Sequence, residues 1–222
     1  MLKYTSMSEL HPKTVVDEQT GKSVTYTPGS REYVTSDTGE RPPFRKRMLD
    51  SQAYGDAISS FVQKTCDILV YDPGTGRVLV VTRAKEPQPG DWVVGGRKYA
   101  GESDEHAALR NLSREMGSDV ADYAEGRLEK IEESYDVIWD SREHPATENE
   151  DGELVTGAHQ APSVFVLPIS ESTFNAIANP NEEYSGKYWE DGFAIIESPD
   201  GKFHPAFRDI VTDALEQVTR PD

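Results

Sequence analysis

One cysteine, Cys66, in a chain of 222 residues leaves no partner for an internal disulfide, which suits a reducing compartment. It lies in an apolar run and reads as a small core residue. Positive charge is scarce as well. Lys and Arg number 23 against 40 Asp and Glu, a formal net charge of −17 with a pI near 4.7. Such a surface repels phosphates over most of its area, which argues against nucleic acid and anionic membrane as partners. A local cationic pocket or a metal still lets an acidic protein take up an anionic small molecule. Long hydrophobic runs are missing too. Met1–Leu10 has no apolar signal core, and no stretch approaches the roughly 20 apolar residues of a spanning helix. The expected location is the cytoplasm.

A chain of this length buries one substantial core and leaves room for an appended segment. Residues 1–47 are polar and rich in Thr, Ser, Gly and Pro. Thr14–Asp17 and Ser23–Tyr26 alternate apolar and polar residues around a Gln19–Lys22 turn, which predicts a small hairpin. Gly39–Pro43 reads as a linker. An extension of this kind suits bracing a homodimer or lying on the surface, and the residues leave both open. The main domain is placed at 48–222. There Asp50 caps a predicted helix over Ser51–Val62, with Tyr54, Ile58 and Phe61 on one face. Strands are predicted at Asp67–Tyr71, Val78–Thr82, Trp92–Val94, Leu128–Trp139 and Ser163–Ile169, with Asp72–Gly76 as a turn. Asp140–Gly157 reads as a long acidic loop, either a lid or disorder. Helices are predicted at Glu171–Ala178 and Pro205–Thr219, with a further segment at Tyr188–Ile196. Mixed strands with a few helices and no regular βαβ repeat predict an α+β fold, helices packed on a mixed sheet.

The stretch from Gly95-Gly96-Arg97 to Arg114-Glu115-Met116-Gly117 carries the chemistry. After Gly96 come five residues and Glu102, seven more and Arg110, and then Glu115 and Gly117 five and seven positions further on. This predicts a glycine-turned loop leading into a helix that starts near Glu102. Leu109, Leu112 and Met116 follow helical spacing and bury one face, and Gly117 closes the helix. Asn111 and Glu115, four residues apart, share a face, and Arg110 and Arg114 form the neighbouring pair. A carbonyl of the Gly95-Gly96 loop and the Glu115 carboxylate are hard oxygen donors, suited to Mg²⁺ or Mn²⁺ held against a diphosphate. The bland alternative is a glycine-capped helix with a solvated Glu.

The spacing resembles the Nudix box of the diphosphate hydrolases, Gly-x5-Glu-x7-Arg-Glu-x2-Glu-Glu-x-Gly, with Asn111 and Arg114 standing in two of its acidic positions. Ahead of it run Arg83, Pro87, Gly90, Trp92 and then Gly95-Gly96-Arg97. With these, the segment looks most similar to the GDP-mannose mannosyl hydrolase branch. The resemblance covers about Leu49 to Trp189. It implies a Nudix-type α/β/α sandwich with a mixed sheet between helices, and a Mg²⁺-dependent hydrolase (Mn²⁺ is the other candidate) acting on a small nucleoside diphosphate substrate. In that branch water attacks the sugar carbon and an intact nucleoside diphosphate leaves. Carried over by position, the Gly95 main-chain oxygen, Glu115 and Glu183 would bind the metal. Arg83 and Arg97 would hold the diphosphate, and Asp67 would face the sugar. Tyr184 stands where the branch has its general-base His, although Tyr titrates near pH 10 and is a poor base at neutral pH. His159 and Glu183 are the alternatives.

Charge supports attack away from phosphorus. At positions 111, 114 and 115 three carboxylates would carry −3, whereas Asn, Arg and Glu sum to zero. A second Mg²⁺ about 5 Å from the Arg114 guanidinium would suffer ~7 kcal/mol of repulsion at an effective dielectric of ~20. One cation assisting a leaving diphosphate is compatible with that balance. Around these residues, Arg110 is expected to pair with and orient Glu115, Glu102 to support the loop, and Trp92 to sit in the core. Two other readings stay open: cleavage of the P–O–P bond, and a non-catalytic nucleotide-binding module.

Overall fold

A computed structural model describes residues 13–16, 23–26, 33–36, 53, 57, 61–83, 90–131, 133–140, 147–148, 154–155, 157–181, 184–199 and 202–219. The chain divides into two units, Met1–Lys46 and Arg47–Asp222. In the first, β1 (Lys13–Val16), β2 (Ser23–Tyr26) and β3 (Tyr33–Ser36) form an antiparallel sheet in chain order. The predicted hairpin is its first two strands, in register Lys13↔Tyr26 to Val16↔Ser23. The third strand had no alternation strong enough to read. The linker at Gly39–Pro43 lies outside the described residues. So does most of the predicted Ser51–Val62 helix, of which Ala53 and Ala57 are helical. Phe61, expected on its apolar face, is instead 73% exposed.

The second unit is built around β4 (Gln63–Asp72), whose Ile68–Tyr71 stretch is buried on both faces and therefore reads as a continuous apolar run. Its neighbours are β5 (Arg77–Arg83) on one side and β12 (Gly157–Pro168) on the other, with β13 (Tyr184–Asp191) beyond β5 and β8 (Glu129–Lys130) beyond β12. Three further strands join off this path: β6 (Gly90–Trp92) on β5, β7 (Val94–Arg97) on β4, and β9 (Val137–Asp140) on β12. The β4–β12 pair is parallel and the other pairs are antiparallel, so the sheet is mixed.

Alternation along β4 sends its side chains to two cores. Cys66, Ile68 and Val70 pack with α1 (Asp104–Met116), α2 (Ser118–Ala124) and α3 (Glu171–Ile177). Leu69 and Tyr71 pack with α4 (Gly192–Ile196) and α5 (Pro205–Thr219). Helices on both faces of a mixed sheet make the expected α/β/α arrangement. No helix among the described residues is long and apolar enough to cross a membrane.

Several predicted boundaries move. Leu128–Trp139 is two short strands, β8 and β9, and between them Ile131 and Tyr135 pack into the α5 core. Tyr188–Ile196 splits at Asp191, whose carboxylate caps α4 by accepting from Ala194 N at 2.9 Å. Within Asp140–Gly157, β10 (Thr147–Glu148) pairs with β11 (Leu154–Val155). Helix α1 begins two residues later than expected, with Ser103 as its N-cap. Gly117 ends it with φ of 100° and at once starts α2, which the sequence reading missed.

Candidate active site

The site forms where β4, β7 and α1 meet. Strand β7 pairs antiparallel with β4 in the register Thr65↔Arg97, Cys66↔Gly96, Asp67↔Gly95, Ile68↔Val94. Paired residues face the same way, so Asp67, Gly95 and Arg97 share one face and Gly96 turns to the other. A Cβ on Gly95 would lie 2.5 Å from Asp67 Oδ1 and 2.8 Å from the Cys66 carbonyl oxygen. A Cβ on Gly96 would lie 2.8 Å from Arg114 Nη2 and 3.0 Å from Asn111 Oδ1. The two glycines are thus required for different reasons, one by the strand beside it and one by the helix above it. Gly95→Ala is expected to destabilise the fold by about 1–3 kcal/mol, because backbone atoms of β4 cannot yield as a side-chain tip can. A urea unfolding midpoint equal to that of the wild type would refute this packing.

Helix α1 buries Ala107, Ala108, Asn111, Leu112, Glu115 and Met116, a stripe at helical spacing that carries two polar residues to the sheet. Its first turn is pinned by Asp104, which accepts from Lys98 at 2.7 Å, Lys130 at 2.6 Å and Ser163 at 2.7 Å. Burial works against the Asp104 charge, but the hydrogen bonds from Lys130, Lys98 and Ser163 outweigh it and hold the carboxyl well below the usual range. Through these contacts α1 is fixed to β8 and β12 and to the chain just past β7.

Glu115 has no exposed side-chain surface. Its Oε2 accepts from Gly95 N at 3.2 Å and from the Tyr184 hydroxyl, and Oε1 is paired with the Arg114 guanidinium. The expected partner, Arg110, is elsewhere. It binds both oxygens of Glu102 at 2.8 and 2.9 Å, Asn111 Oδ1 at 2.9 Å and the Arg97 carbonyl at 2.7 Å, and it lies 4.0 Å over the Tyr99 ring. Glu102 also accepts from Tyr99 N at 2.8 Å, so the Glu102–Arg110 pair closes the loop between β7 and α1. Asn111 is fully buried, and its Nδ2 has no hydrogen-bond partner among the described residues.

Asp67 is 7% exposed and accepts from Trp92 Nε1 at 3.1 Å. Burial raises its pKa to about 6; the Trp92 hydrogen bond and the Arg83 charge pull it down, and the Glu115 charge pushes it up. Trp92, expected only as core, is therefore also a donor to a site carboxylate. An indole has one N–H, and nothing in the sequence shows where it points. Arg83 ends β5 opposite Tyr184 and Gly90, which places it by register beside Tyr184.

The structure thus brings together Asp67, Gly95, Glu115, Tyr184 and Arg83, with Arg97 two residues from Gly95. His159 does not join them. It sits near the start of β12, beside the Gln160↔Gln63 pair, and meets Asp136 at 2.9 Å, whereas Asp67 pairs with Val164. His159 lies five strand steps from that level, about 16 Å. Tyr184 is a donor to Glu115, the reverse of what a base must do. Glu183 lies outside the described residues. Burial pushes the Cys66 thiol up to about 12, with Asp104 and Asp67 adding to the effect, so this neighbour of the site is an inert core residue.

Residues 62–178, more than half of the chain, match the family model described as the NUDIX domain, and the chain belongs to the Nudix family. Nudix hydrolases act on nucleoside diphosphate derivatives. No curated protein sequence matches the chain. Among solved structures it is similar to the Escherichia coli dihydroneopterin triphosphate pyrophosphohydrolase, with 19% identity over 71% of this chain and 99% of that one and a TM-score of 0.47. It is also similar to the NUDIX domain of Shewanella oneidensis NrtR complexed with ADP ribose, with 16% identity over 72% and 90% and a TM-score of 0.47. A third is a Caenorhabditis elegans Ap4A hydrolase, with 12% identity over 71% and 98% and a TM-score of 0.46.

Nudix hydrolases generally use divalent metals such as Mg²⁺. Among the described residues no group of three or more His, Cys, Asp or Glu is arranged to hold a metal ion. Glu115 nevertheless sets one fully buried carboxylate against Gly95, whose main-chain oxygen is a second hard donor. These donors fit a single hard cation completed by substrate phosphates, provided that Arg114 moves. Its side chain is 44% exposed, so it has water to move into.

Proposed function

We propose that this chain hydrolyses a nucleotide sugar at the sugar carbon, releasing the sugar and an intact nucleoside diphosphate, with one Mg²⁺ or Mn²⁺ at Glu115. The observation that carries this reading is that Glu115 is the carboxylate α1 turns to the Gly95-Gly96 strand, with neutral Asn111 and cationic Arg114 beside it. Wherever the guanidinium turns, these box positions offer no second carboxylate to gather several metals at phosphorus. The cation supplies Lewis-acid neutralisation of the departing diphosphate when bound. Glu115 and the Gly95 main-chain oxygen would hold it, and Glu183 is the further candidate ligand.

Arg83 and Arg97 bind the diphosphate and stabilise its charge as it leaves. Asp67 takes the proton of the attacking water, a task suited to a carboxylate lifted to about 6. The water oxygen bonds to the sugar carbon, the carbon–oxygen bond to the diphosphate breaks, and its electron pair stays on the phosphate oxygen. The similarity of the Arg83–Arg97 segment to the GDP-mannose mannosyl hydrolase branch supports the same choice.

Product analysis over a panel of nucleotide sugars with Mg²⁺ tests it. Free sugar plus nucleoside diphosphate is expected, and in ¹⁸O-water the label is expected in the sugar. Sugar phosphate plus nucleoside monophosphate, with label on phosphorus, would replace this reading by diphosphate cleavage. Binding without turnover across the panel would point to a nucleotide-binding module.

A further inference from the structure

Neighbouring residues on a helix point about 100° apart and do not ordinarily meet. Arg114 and Glu115 meet nonetheless. The guanidinium folds back over the strand at Gly96, where a Cβ would stand 2.8 Å from Nη2. Glycine at 96 is what leaves room for it. On the other oxygen of the same carboxylate sits the Tyr184 hydroxyl, brought there by the pairing of β13 with β5. Gly95 N–H adds a third donor. A carboxylate with no exposed surface must be matched by donors or counter-charge, and here protein groups do the matching. Glu115 is shut away from water, while Arg114 keeps 44% of its side chain exposed.

We infer that Arg114 and Tyr184 form a latch on Glu115 that competes with the divalent cation for this carboxylate, so that Arg114 sets how tightly the cation binds. The inference rests on the reading of Glu115 as a cation ligand. Binding at Glu115 requires the guanidinium to swing into solvent and the phenol to release its hydrogen bond. Free energy is lost in both steps before any is gained. Gly96 is part of the device, since a methyl group there would push the guanidinium off.

Mn²⁺ titration followed by electron paramagnetic resonance of the free ion tests this without any substrate. Arg114→Gln is expected to bind Mn²⁺ about tenfold more tightly than the wild type, with Gly96→Ala changed in the same direction and Tyr184→Phe changed by a smaller factor. Arg114→Lys, which keeps the charge, should stay near the wild type. A second readout is thermal stability. In EDTA Arg114→Gln should melt lower, by roughly 5 °C, because Glu115 has lost its counter-charge, and Mn²⁺ should raise its melting temperature more than it raises that of the wild type. The latch is overturned if Arg114→Gln and Gly96→Ala bind Mn²⁺ no more tightly than the wild type while Glu115→Gln loses binding. If Glu115→Gln binds Mn²⁺ as the wild type does, the cation does not use Glu115. The site reading then fails first and the latch falls with it.

Discussion

Glu115→Gln is expected to stay folded and to lose turnover by about 10²–10³-fold, the loss that follows removal of one electrostatic group from a preorganised site. The shape of the side chain is kept. Its amide oxygen can still accept from Gly95 N and the Tyr184 hydroxyl, the two donors that meet Oε2. What disappears is the negative charge on which a cation or Arg114 depends. The amide nitrogen would then face a guanidinium that is partly in water. Circular dichroism melting checks that the fold persists, and steady-state kinetics reads the loss. Near wild-type turnover in a folded variant would remove Glu115 from the mechanism.

Asp67→Asn should cost activity and yet increase stability at alkaline pH. The folded-state pKa of about 6 lies above the ordinary 3.8, chiefly because burial disfavours the charge. The folded chain therefore binds a proton that the unfolded chain has already released across the window from about 4 to about 6. The favourable contribution is fully present below the lower value and is lost as pH rises through the upper one. A two-unit rise corresponds to about 3 kcal/mol against the ionised folded state above pH 6, an upper bound on what Asn would relieve. The Asn carbonyl can still accept from Trp92 Nε1. Melting in EDTA at pH 4 and pH 8 should show Asn gaining on Asp as pH rises. A difference that does not change with pH would mean that Asp67 is not held in a strained ionised state. A loss of activity alongside a gain in stability is the result that the proposed role of Asp67 as the base predicts.

Local signals were legible wherever one residue type does one job. Gly95 and Gly96, the stripe of α1 and the β4 run all follow from spacing and steric need, and the structure uses them as the spacing suggests. Ambiguity entered where the partner comes from elsewhere in the chain. Arg110 and Arg114 are both cations one turn apart, and composition cannot say which one reaches Glu115. Packing decides it: Glu102 and the Arg97 carbonyl claim Arg110, while the bare face of Gly96 admits Arg114. His159 looked like a spare base because it precedes a strand. The parallel pairing of β12 with β4 puts it far from Asp67 and beside Asp136.

By itself the chain's sequence determined that this is an acidic α+β protein with a glycine-turned loop, a carboxylate-bearing helix and a box in which two acids are replaced. Those properties follow from local sterics, helical and strand periods, and the charges of the residues themselves. Only the tertiary structure decided which groups share a carboxylate: Trp92 with Asp67, and Arg114, Tyr184 and Gly95 with Glu115. Hydrogen bonds and ion pairs depend on separations of a few ångströms between residues far apart in the chain, and strand register sets those separations. The missing box acids thus became a built-in cation on Glu115, a consequence that no spacing in the sequence expresses.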